Sequence, residues 1–129
     1  MRASLNWLTD YVDVSMPAVE LAEMLTRIGL PGEDIEETPT DVVLDVEVTS
    51  NRPDCLGHIG LAREIATAAG AEFRPPEIPE LPAEGSVEDV TSVEVRDAGM
   101  CPRYTARVIR DVQVGPSPQW MVERLEAAR

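Results

Sequence analysis

Residues 42–70 read VVLDVEVTSNRPDCLGHIGLAREIATAAG, and the hydrophobic period of this stretch changes halfway along it. From 42 to 49, apolar and polar residues alternate, as in a strand that buries one face. After a turn, apolar residues recur at helical spacing until Gly70 ends the helix. The buried positions assigned by this pattern are Leu44, Val46 and Val48 in the strand and Ile59, Ala62, Ile65 and Ala69 in the helix. A strand that leads into a helix predicts an α+β fold.

Two short amphipathic helices are predicted before this stretch. The first begins after Ser4 and the second after Ser15, because a serine hydroxyl can accept a hydrogen bond from an unpaired amide of the first helical turn. Gly29 ends the second helix, and Pro31 prevents its continuation. The acidic residues 33–41 then predict a turn. The apolar stripes are Leu5, Leu8 and Val12 in the first helix and Leu21, Leu25 and Ile28 in the second.

The rest of the sequence predicts a linker and the beginning of a second domain. Four prolines between positions 75 and 82 exclude a helix or an interior strand and favour an extended connector. Two strands are expected at 91–95 and 103–114, followed by a helix that begins near Trp120 and has no stop signal. The predicted organisation is a three-helix domain with a short antiparallel sheet at 1–72, an acidic Pro-rich linker at 73–90, and the first strands and helix of an incomplete α+β domain at 91–129.

Charge and composition narrow the classes of function. The 129 residues include 24 acidic and 11 basic side chains, and the net charge is -9 over residues 1–70 and +1 over residues 91–129. Because phosphate contacts dominate affinity for nucleic acids, only the last segment is expected to contact RNA. No apolar run reaches the roughly 20 residues of a membrane-spanning helix, and two isolated cysteines do not form a disulfide framework. The sequence is typical of a cytoplasmic protein without a membrane partner.

No motif in the sequence assembles a catalytic site. Walker, dinucleotide-binding, nucleophile-elbow and zinc-protease motifs are absent. Cys55 and His58 would share one helix face, but no third residue orients such a pair, so His58 is expected to be a packing or surface residue. The acidic residues between Glu33 and Glu37 lack the spacing of a calcium loop. We therefore predict no catalytic residue and no metal site.

The most distinctive residues lie where the strand leads into the third helix. Asp54 is expected to cap this helix, and Arg52 to pair with Asp54 and close the turn. Gly57 and Gly60 would let another backbone approach closely. We interpret the segment as a structural corner and not as a ligand site, because exposed ion pairs are common. Its residues are Asn51, Arg52, Pro53, Asp54, Gly57, Gly60 and Glu64.

Three blocks of the sequence resemble one protein family. VEVTSNRPDCLGHIGLAREIA (46–66) resembles a signature near the N-terminus of bacterial phenylalanine–tRNA ligase beta subunits. LNWLTDYVDVSMPAVELAEMLTRIGLPGEDIE (5–36) resembles the opening of that subunit, and CPRYTARVIRDVQVGPSPQWMVERL (101–125) resembles the start of its editing domain, B3/4. The blocks cover most of the chain in family order.

The resemblance implies that residues 1–72 correspond to domain B1, an α+β domain with a winged-helix-like outline. In the family, an OB-fold domain that binds tRNA is inserted at positions matching about Glu37 to Asp41, and this insertion is absent here. The implied partners are the alpha subunit, the remaining beta domains and, through the whole enzyme, tRNA(Phe). The candidates for contact with RNA or with another domain are Arg103, Tyr104 and Arg107.

The same resemblance implies that the chemistry of the enzyme lies outside this chain. In the family, ATP and phenylalanine bind the alpha subunit. The editing pocket belongs to domain B3/4 of the beta subunit and lies beyond the position matching Arg129. The family's magnesium pattern, Asp-x5-Asp-x2-Glu-Glu, belongs to a later domain. When the first Asp of this pattern is aligned with Asp54, Gly60 replaces the second Asp and Arg63 replaces the first Glu, so that only Asp54 and Glu64 match the pattern. We therefore expect no cofactor in this chain.

Sequence and resemblance together favour a non-catalytic role. The chain would be an N-terminal portion of the beta subunit that supports assembly of the alpha/beta enzyme. One alternative is a self-standing, winged-helix-like module that binds nucleic acid or protein; the net charge of -13 argues against nucleic acid. Another is a small hydrolase that uses Cys55 and His58.

Overall fold

The computed structural model describes residues 1–129, which form two compact units. The first unit contains residues 1–77 and 117–129, and the second contains residues 78–116. The strands are β1 (Arg2–Ser4), β2 (Gly32–Glu37) and β3 (Val42–Val46). The helices are α1 (Leu5–Leu8), α2 (Ala18–Arg27), α3 (His58–Ala69) and α4 (Gln119–Ala127), and 3-10 turns lie at Pro53–Cys55 and Val87–Asp89.

The first unit is built around an antiparallel sheet with the strand order β1-β3-β2. Leu44 of the central strand lies opposite Ala3 on one side and Ile35 on the other. Leu44 and Val46 are fully buried, as the alternating pattern predicted, and Val43 is buried as well. The predicted strand is therefore confirmed, although it ends at Val46.

The acidic residues 33–41, predicted as a turn, instead contain most of β2. Pairing with β3 supplies partners for the backbone, and Ile35 packs against the core. This tertiary context outweighs the low strand propensity of Asp and Glu. The turn itself is confined to Thr38–Asp41, where the Thr38 N–H donates to the Asp41 carbonyl and the Asp41 N–H donates to Thr38 Oγ1, each at 2.8 Å.

The starts of the first two helices follow the predicted caps only in part. The Ser4 hydroxyl accepts the Trp7 N–H at 3.0 Å, which confirms Ser4 as the N-cap of α1. Ser15 does not cap α2, because this helix begins at Ala18 and Pro17 occupies the cap position without a side-chain hydrogen bond. The Ser15 hydroxyl therefore precedes the helix by too many residues to reach its first turn.

Helix α3 begins later than predicted. The residues Pro53–Cys55 form a separate 3-10 turn, so Asp54 does not cap α3 and its carboxylate binds Arg52 instead. The buried stripe is shifted as well, because Ile59 is 39% exposed. Gly70 ends the helix at a φ of +65°, as predicted. The buried residues of α3 are His58, Gly60, Leu61, Ala62, Ile65 and Ala66.

The core of the first unit lies between the sheet and helices α1 to α3. No buried side-chain nitrogen or oxygen in the chain lacks a hydrogen-bond partner. Helix α4 contributes no buried residue. The large side chains that are fully buried come from α1, α2, β3, α3 and the segments between them, so residues 1–77 share one interior. They are Leu8, Val12, Leu21, Leu25, Leu30, Val43, Leu44, Val46, Leu61 and Ile65.

Residues 78–116 do not form the two predicted strands. Neither 91–95 nor 103–114 is a strand, and the single regular element of this unit is the 3-10 turn at Val87–Asp89. Strands are stabilised by pairing with a neighbour, and no other strand pairs with these segments. The α+β class and helix α4 are confirmed, whereas the second domain, the domain boundaries and the winged-helix-like outline stay predictions. None of the helices has the length and apolar character needed to cross a membrane.

Candidate functional site

The residues singled out by sequence converge where β3 leads into α3. We use the name Arg52 corner for residues 49–56 together with Gly60 and Glu64. Arg52 donates from Nε and Nη2 to the two carboxylate oxygens of Asp54, at 3.1 and 2.9 Å. Its Nη2 also lies 3.0 Å from Glu64 Oε1 and 3.1 Å from Cys55 Sγ. One guanidinium thus joins the 3-10 turn to the middle of α3.

These contacts fix the charges of the Arg52 corner. Hydrogen bonds from Arg52 and then from Cys55 lower the pKa of Asp54 to about 2. Hydrogen bonds to Asp54 and Glu64 raise the pKa of Arg52 above its ordinary value. Burial, followed by the hydrogen bond to Asp54, raises the pKa of the Cys55 thiol to about 11. At neutral pH the ion pair is charged and the thiol is protonated.

Gly60 allows the corner to close. A Cβ built on Gly60 would lie 1.7 Å from the carbonyl oxygen of Asp54, which is far inside van der Waals contact. No atom lies within 4 Å of the equivalent Cβ position on Gly57, and the extended φ of -160° at that residue suits any side chain. The expected close approach of backbone therefore occurs at Gly60, and the expectation for Gly57 is wrong.

The turn of the corner is shaped by its first residues. The Thr49 hydroxyl donates to Asn51 Oδ1 at 2.7 Å. Pro53 begins the 3-10 turn, where the N–H that proline lacks would have no partner. The predicted site residues that the structure brings together are Asn51, Arg52, Pro53, Asp54, Gly60 and Glu64. Arg103, Tyr104 and Arg107 are exposed residues of the 78–116 unit, and their role in RNA or domain contact stays a prediction.

The Arg52 corner does not fit a magnesium ion. Asp54 and Glu64 are the carboxylates that the family pattern leaves, and Arg52 binds both of them. A magnesium ion would have to displace this guanidinium and complete an octahedral set of oxygens. Within the chain, no group of three or more His, Cys, Asp or Glu side chains is arranged to hold a metal ion.

Cys55 and His58 do not form a nucleophile–base pair. The Cys55 thiol donates to Asp54 Oδ2 at 3.3 Å, whereas His58 Nε2 accepts the Ser4 N–H at 3.0 Å. The raised pKa of Cys55 also disfavours the thiolate, which is the nucleophilic form. The geometry therefore argues against the hydrolase alternative.

His58 belongs to a second cluster, which the sequence did not reveal. The His58 side chain is buried and stacks on Trp7, with ring centroids 4.0 Å apart and planes inclined by 21°. Burial, with a smaller contribution from Arg124, lowers the pKa of His58, and Asp41 opposes this shift. A neutral ring agrees with Nε2 as a hydrogen-bond acceptor. Ser4 precedes His58 by 54 positions, so no local pattern could have joined them.

Asp41 links this cluster to the β2–β3 turn. Its carboxylate accepts the Ser4 hydroxyl at 2.6 Å and the Asn6 N–H at 3.1 Å. The cluster borders an open cleft of about 460 Å³ whose walls carry charges of both signs. Residues of the cleft wall include Arg2, Glu36, Asp41, Trp120, Glu123 and Arg124.

The chain is similar to curated proteins over nearly its whole length. It is 47% identical over 127 residues to the phenylalanine–tRNA ligase beta subunit of Rhodopirellula baltica, which covers 98% of this chain and 19% of that protein. It is 38% identical over 126 residues to the beta subunit of Salinibacter ruber, covering 98% of this chain and 14% of that protein. Over 110 residues, or 81% of this chain, it is 50% identical to the beta subunit of Syntrophus aciditrophicus and covers 13% of it.

No family model and no solved structure matches the chain. The chain spans about a fifth or less of the length of these curated relatives. The matches that cover 98% of the chain include the Arg52 corner and all three blocks that carried the resemblance. The resemblance is thereby confirmed: the chain belongs to the family of bacterial phenylalanine–tRNA ligase beta subunits.

Proposed function

We propose that this chain is a non-catalytic, structural part of a phenylalanine–tRNA ligase beta subunit. It would support assembly of the cytoplasmic alpha/beta enzyme that ligates phenylalanine to tRNA(Phe) with ATP, and tRNA would be bound by the whole enzyme. The observation that carries the proposal is the similarity to two beta subunits over 98% of the chain. ATP and magnesium would bind elsewhere in the enzyme.

The contacts of the Arg52 corner support a structural role. Asp54 and Glu64 are both engaged by Arg52, and the Cys55 thiol is buried and protonated. These side chains are therefore occupied in holding the 3-10 turn on α3, which leaves no free carboxylate pair or activated nucleophile for general acid–base or covalent catalysis.

We further infer that the fragment is the N-terminal, B1-like part of the subunit and that it lacks the inserted OB-fold domain. The hydrogen-bonded turn at Thr38–Asp41 joins β2 directly to β3. The resemblance puts the inserted domain of the family at this position, which supports the inference. The match to the Rhodopirellula baltica subunit spans 127 residues and 98% of this chain, a length that leaves no room for an inserted domain within the match.

An assembly experiment tests the structural role. The alpha subunit and a full-length beta subunit carrying this segment would be co-expressed, and the yield of alpha/beta complex measured by size-exclusion chromatography. Arg52→Ala should lower the yield of complex, because it leaves Asp54 and Glu64 without their shared partner. The complex that does form should charge tRNA(Phe) with an unchanged turnover number. Gly57→Ala, a substitution into open space in the same segment, should change neither quantity.

A catalytic role would give the opposite result. If Arg52→Ala left the yield of complex unchanged and lowered the turnover number by about tenfold or more, the segment would contribute to transition-state stabilisation and the proposal would be wrong.

The alternative of a self-standing nucleic-acid module is not favoured. Residues 1–70 carry a net charge of -9, which repels a phosphate backbone. Filter binding of the chain to tRNA at low salt provides the check, because true phosphate contacts would give a steep loss of affinity as salt is added.

A further inference from the structure

Helix α4 is attached to the rest of its unit through polar contacts around one arginine. Arg124 forms an ion pair with Asp10, and its guanidinium lies 5.0 Å from the centroid of the Trp7 ring and 5.6 Å from that of Trp120. Near the end of the helix, Arg2 Nε donates to the Ala127 carbonyl at 3.3 Å. Because no residue of α4 is buried, contacts of this exposed kind, each of them weak, hold the helix in place.

Trp7 connects this attachment to His58. The Trp7 ring contacts the Arg124 guanidinium and also stacks on His58. His58 contacts the Ser4 N–H of β1 and the Trp7 ring of α1, and the charges of Asp41 in the β2–β3 turn and of Arg124 in α4 act on it. Among them, Asp41 favours a protonated ring, whereas Arg124 and the Ser4 N–H oppose it.

We propose that α4 is a pH-sensitive latch, which is docked while His58 is neutral and is released when His58 takes up a proton. Protonation would place an N–H at Nε2, facing the Ser4 N–H, and the acceptor of that hydrogen bond would be lost. It would also add a second positive charge near Arg124, which lies 5.0 Å from the Trp7 ring on which His58 stacks. The imidazolium and the guanidinium repel each other, and undocking of α4 separates them.

The sign of the pH dependence follows from the same contacts. Burial and Arg124 lower the pKa of His58 in the docked state. When α4 leaves, Arg124 leaves with it, so the released state binds a proton more readily than the docked state does. Docking is therefore favoured at neutral pH and weakens as the pH falls through the pKa of His58 in the released state.

The chain is well suited to a direct test, because it contains one histidine and two tryptophans. NMR titration of the 129-residue chain from pH 7.5 to pH 5 would follow the His58 ring and the backbone order parameters together. Over this range we expect the order parameters of residues 119–127 to fall from about 0.85 to below about 0.6. The midpoint of this fall should coincide with the midpoint of the His58 titration. Those of α3 should not change. If α4 stayed rigid while His58 became protonated, the proposal would be wrong.

Two substitutions separate the latch from general acid sensitivity. His58→Gln offers an amide oxygen to the Ser4 N–H and does not titrate, so α4 should remain docked at pH 5. Arg124→Gln removes the facing charge, so the measured pKa of His58 should rise above that of the parent chain. Arg129→Gln also removes one positive charge, but at a position beyond the end of α4, so it should leave the pKa of His58 unchanged. Release of α4 at pH 5 in His58→Gln, or a His58 pKa unaffected by Arg124→Gln, would overturn the proposal.

Discussion

The two segments 1–77 and 78–116 use similar apolar residues and reach different outcomes. Leu44 and Val46 are fully buried in the first segment, whereas Ile109 is 73% exposed and Val114 is 99% exposed in the second. The difference lies in the partners: helices α1 to α3 and the sheet offer apolar faces to one another, and the strand-like sequences at 91–95 and 103–114 have no sheet to join. Apolar content alone therefore does not make a core, because burial requires complementary elements.

Limited proteolysis should separate the two segments by the largest margin. Trypsin cleaves after arginine, and Arg107 lies in the exposed unit whereas Arg63 lies within α3. Because cleavage at Arg63 requires unfolding, we expect it to be at least about 10³-fold slower than cleavage at Arg107. Mass spectrometry of the early fragments measures the ratio. Early cleavage at Arg63 would show that residues 1–77 lack the shared interior described above.

Gly60→Ala should be the most destabilising single substitution of the Arg52 corner. The new Cβ would lie 1.7 Å from the Asp54 carbonyl oxygen, so the backbone of α3 or of the 3-10 turn must move. We expect a loss of about 4 kcal/mol in the free energy of unfolding, measured by urea denaturation. The matched variant Gly57→Ala places its Cβ in open space but replaces the glycine N-cap of α3, so it should cost no more than about 1 kcal/mol. Equal effects of the two variants would contradict the close approach at Gly60.

Truncation of one apolar side chain in each segment should give the next largest difference in the free energy of unfolding. Leu44→Ala removes a fully buried side chain from the central strand and should cost about 3 kcal/mol. Val114→Ala changes a side chain that is 99% exposed and should alter the free energy of unfolding by less than about 0.5 kcal/mol. Thermal or urea unfolding measures both. A cost for Val114→Ala similar to that of Leu44→Ala would show that residues 78–116 have a core of their own.

The smallest effect concerns acid stability. The pKa of Asp54 is lowered to about 2 in the folded chain, so its contribution to stability is present above pH 4 and is lost as the pH falls towards 2. Asp54→Asn should therefore lower stability at pH 7 and flatten its decline between pH 4 and pH 2. Glu80→Gln removes a carboxylate from residues 78–116 and serves as the control. If the free energy of unfolding of Asp54→Asn declined between pH 4 and pH 2 as steeply as that of the parent chain, the ion pair of Arg52 with Asp54 would not be the cause of the decline.

Sequence reasoning succeeded where local periodicity and capping decide the structure. The alternating strand around Leu44, the Ser4 cap and the Gly70 stop are all present. It failed where a partner outside the segment decides. The acidic residues of β2 form a strand because β3, which follows them in the chain, pairs with them. The cap of α3 was also wrong, because the 3-10 turn at Pro53–Cys55 separates Asp54 from the first turn of the helix.

The candidate site likewise contains one cluster that the sequence predicted and one that it did not. The residue types of the Arg52 corner were recognisable because they lie within 16 positions of one another, from Thr49 to Glu64. The cluster around His58 was not recognisable, since Ser4, Asp41 and Arg124 approach it from three other parts of the chain. The contacts of a lone histidine are set by the tertiary fold, which a single sequence read locally does not specify.

The hydrogen-bonded turn at Thr38–Asp41 has a practical consequence. Its two ends are joined by backbone and side-chain hydrogen bonds, and both adjoining strands are already fixed in the sheet. A guest protein whose own termini lie close together could be spliced into this turn by genetic engineering, because the cost of closing a longer loop rises only slowly with its length. The tip of the β2–β3 hairpin is therefore a suitable insertion point for an engineered domain.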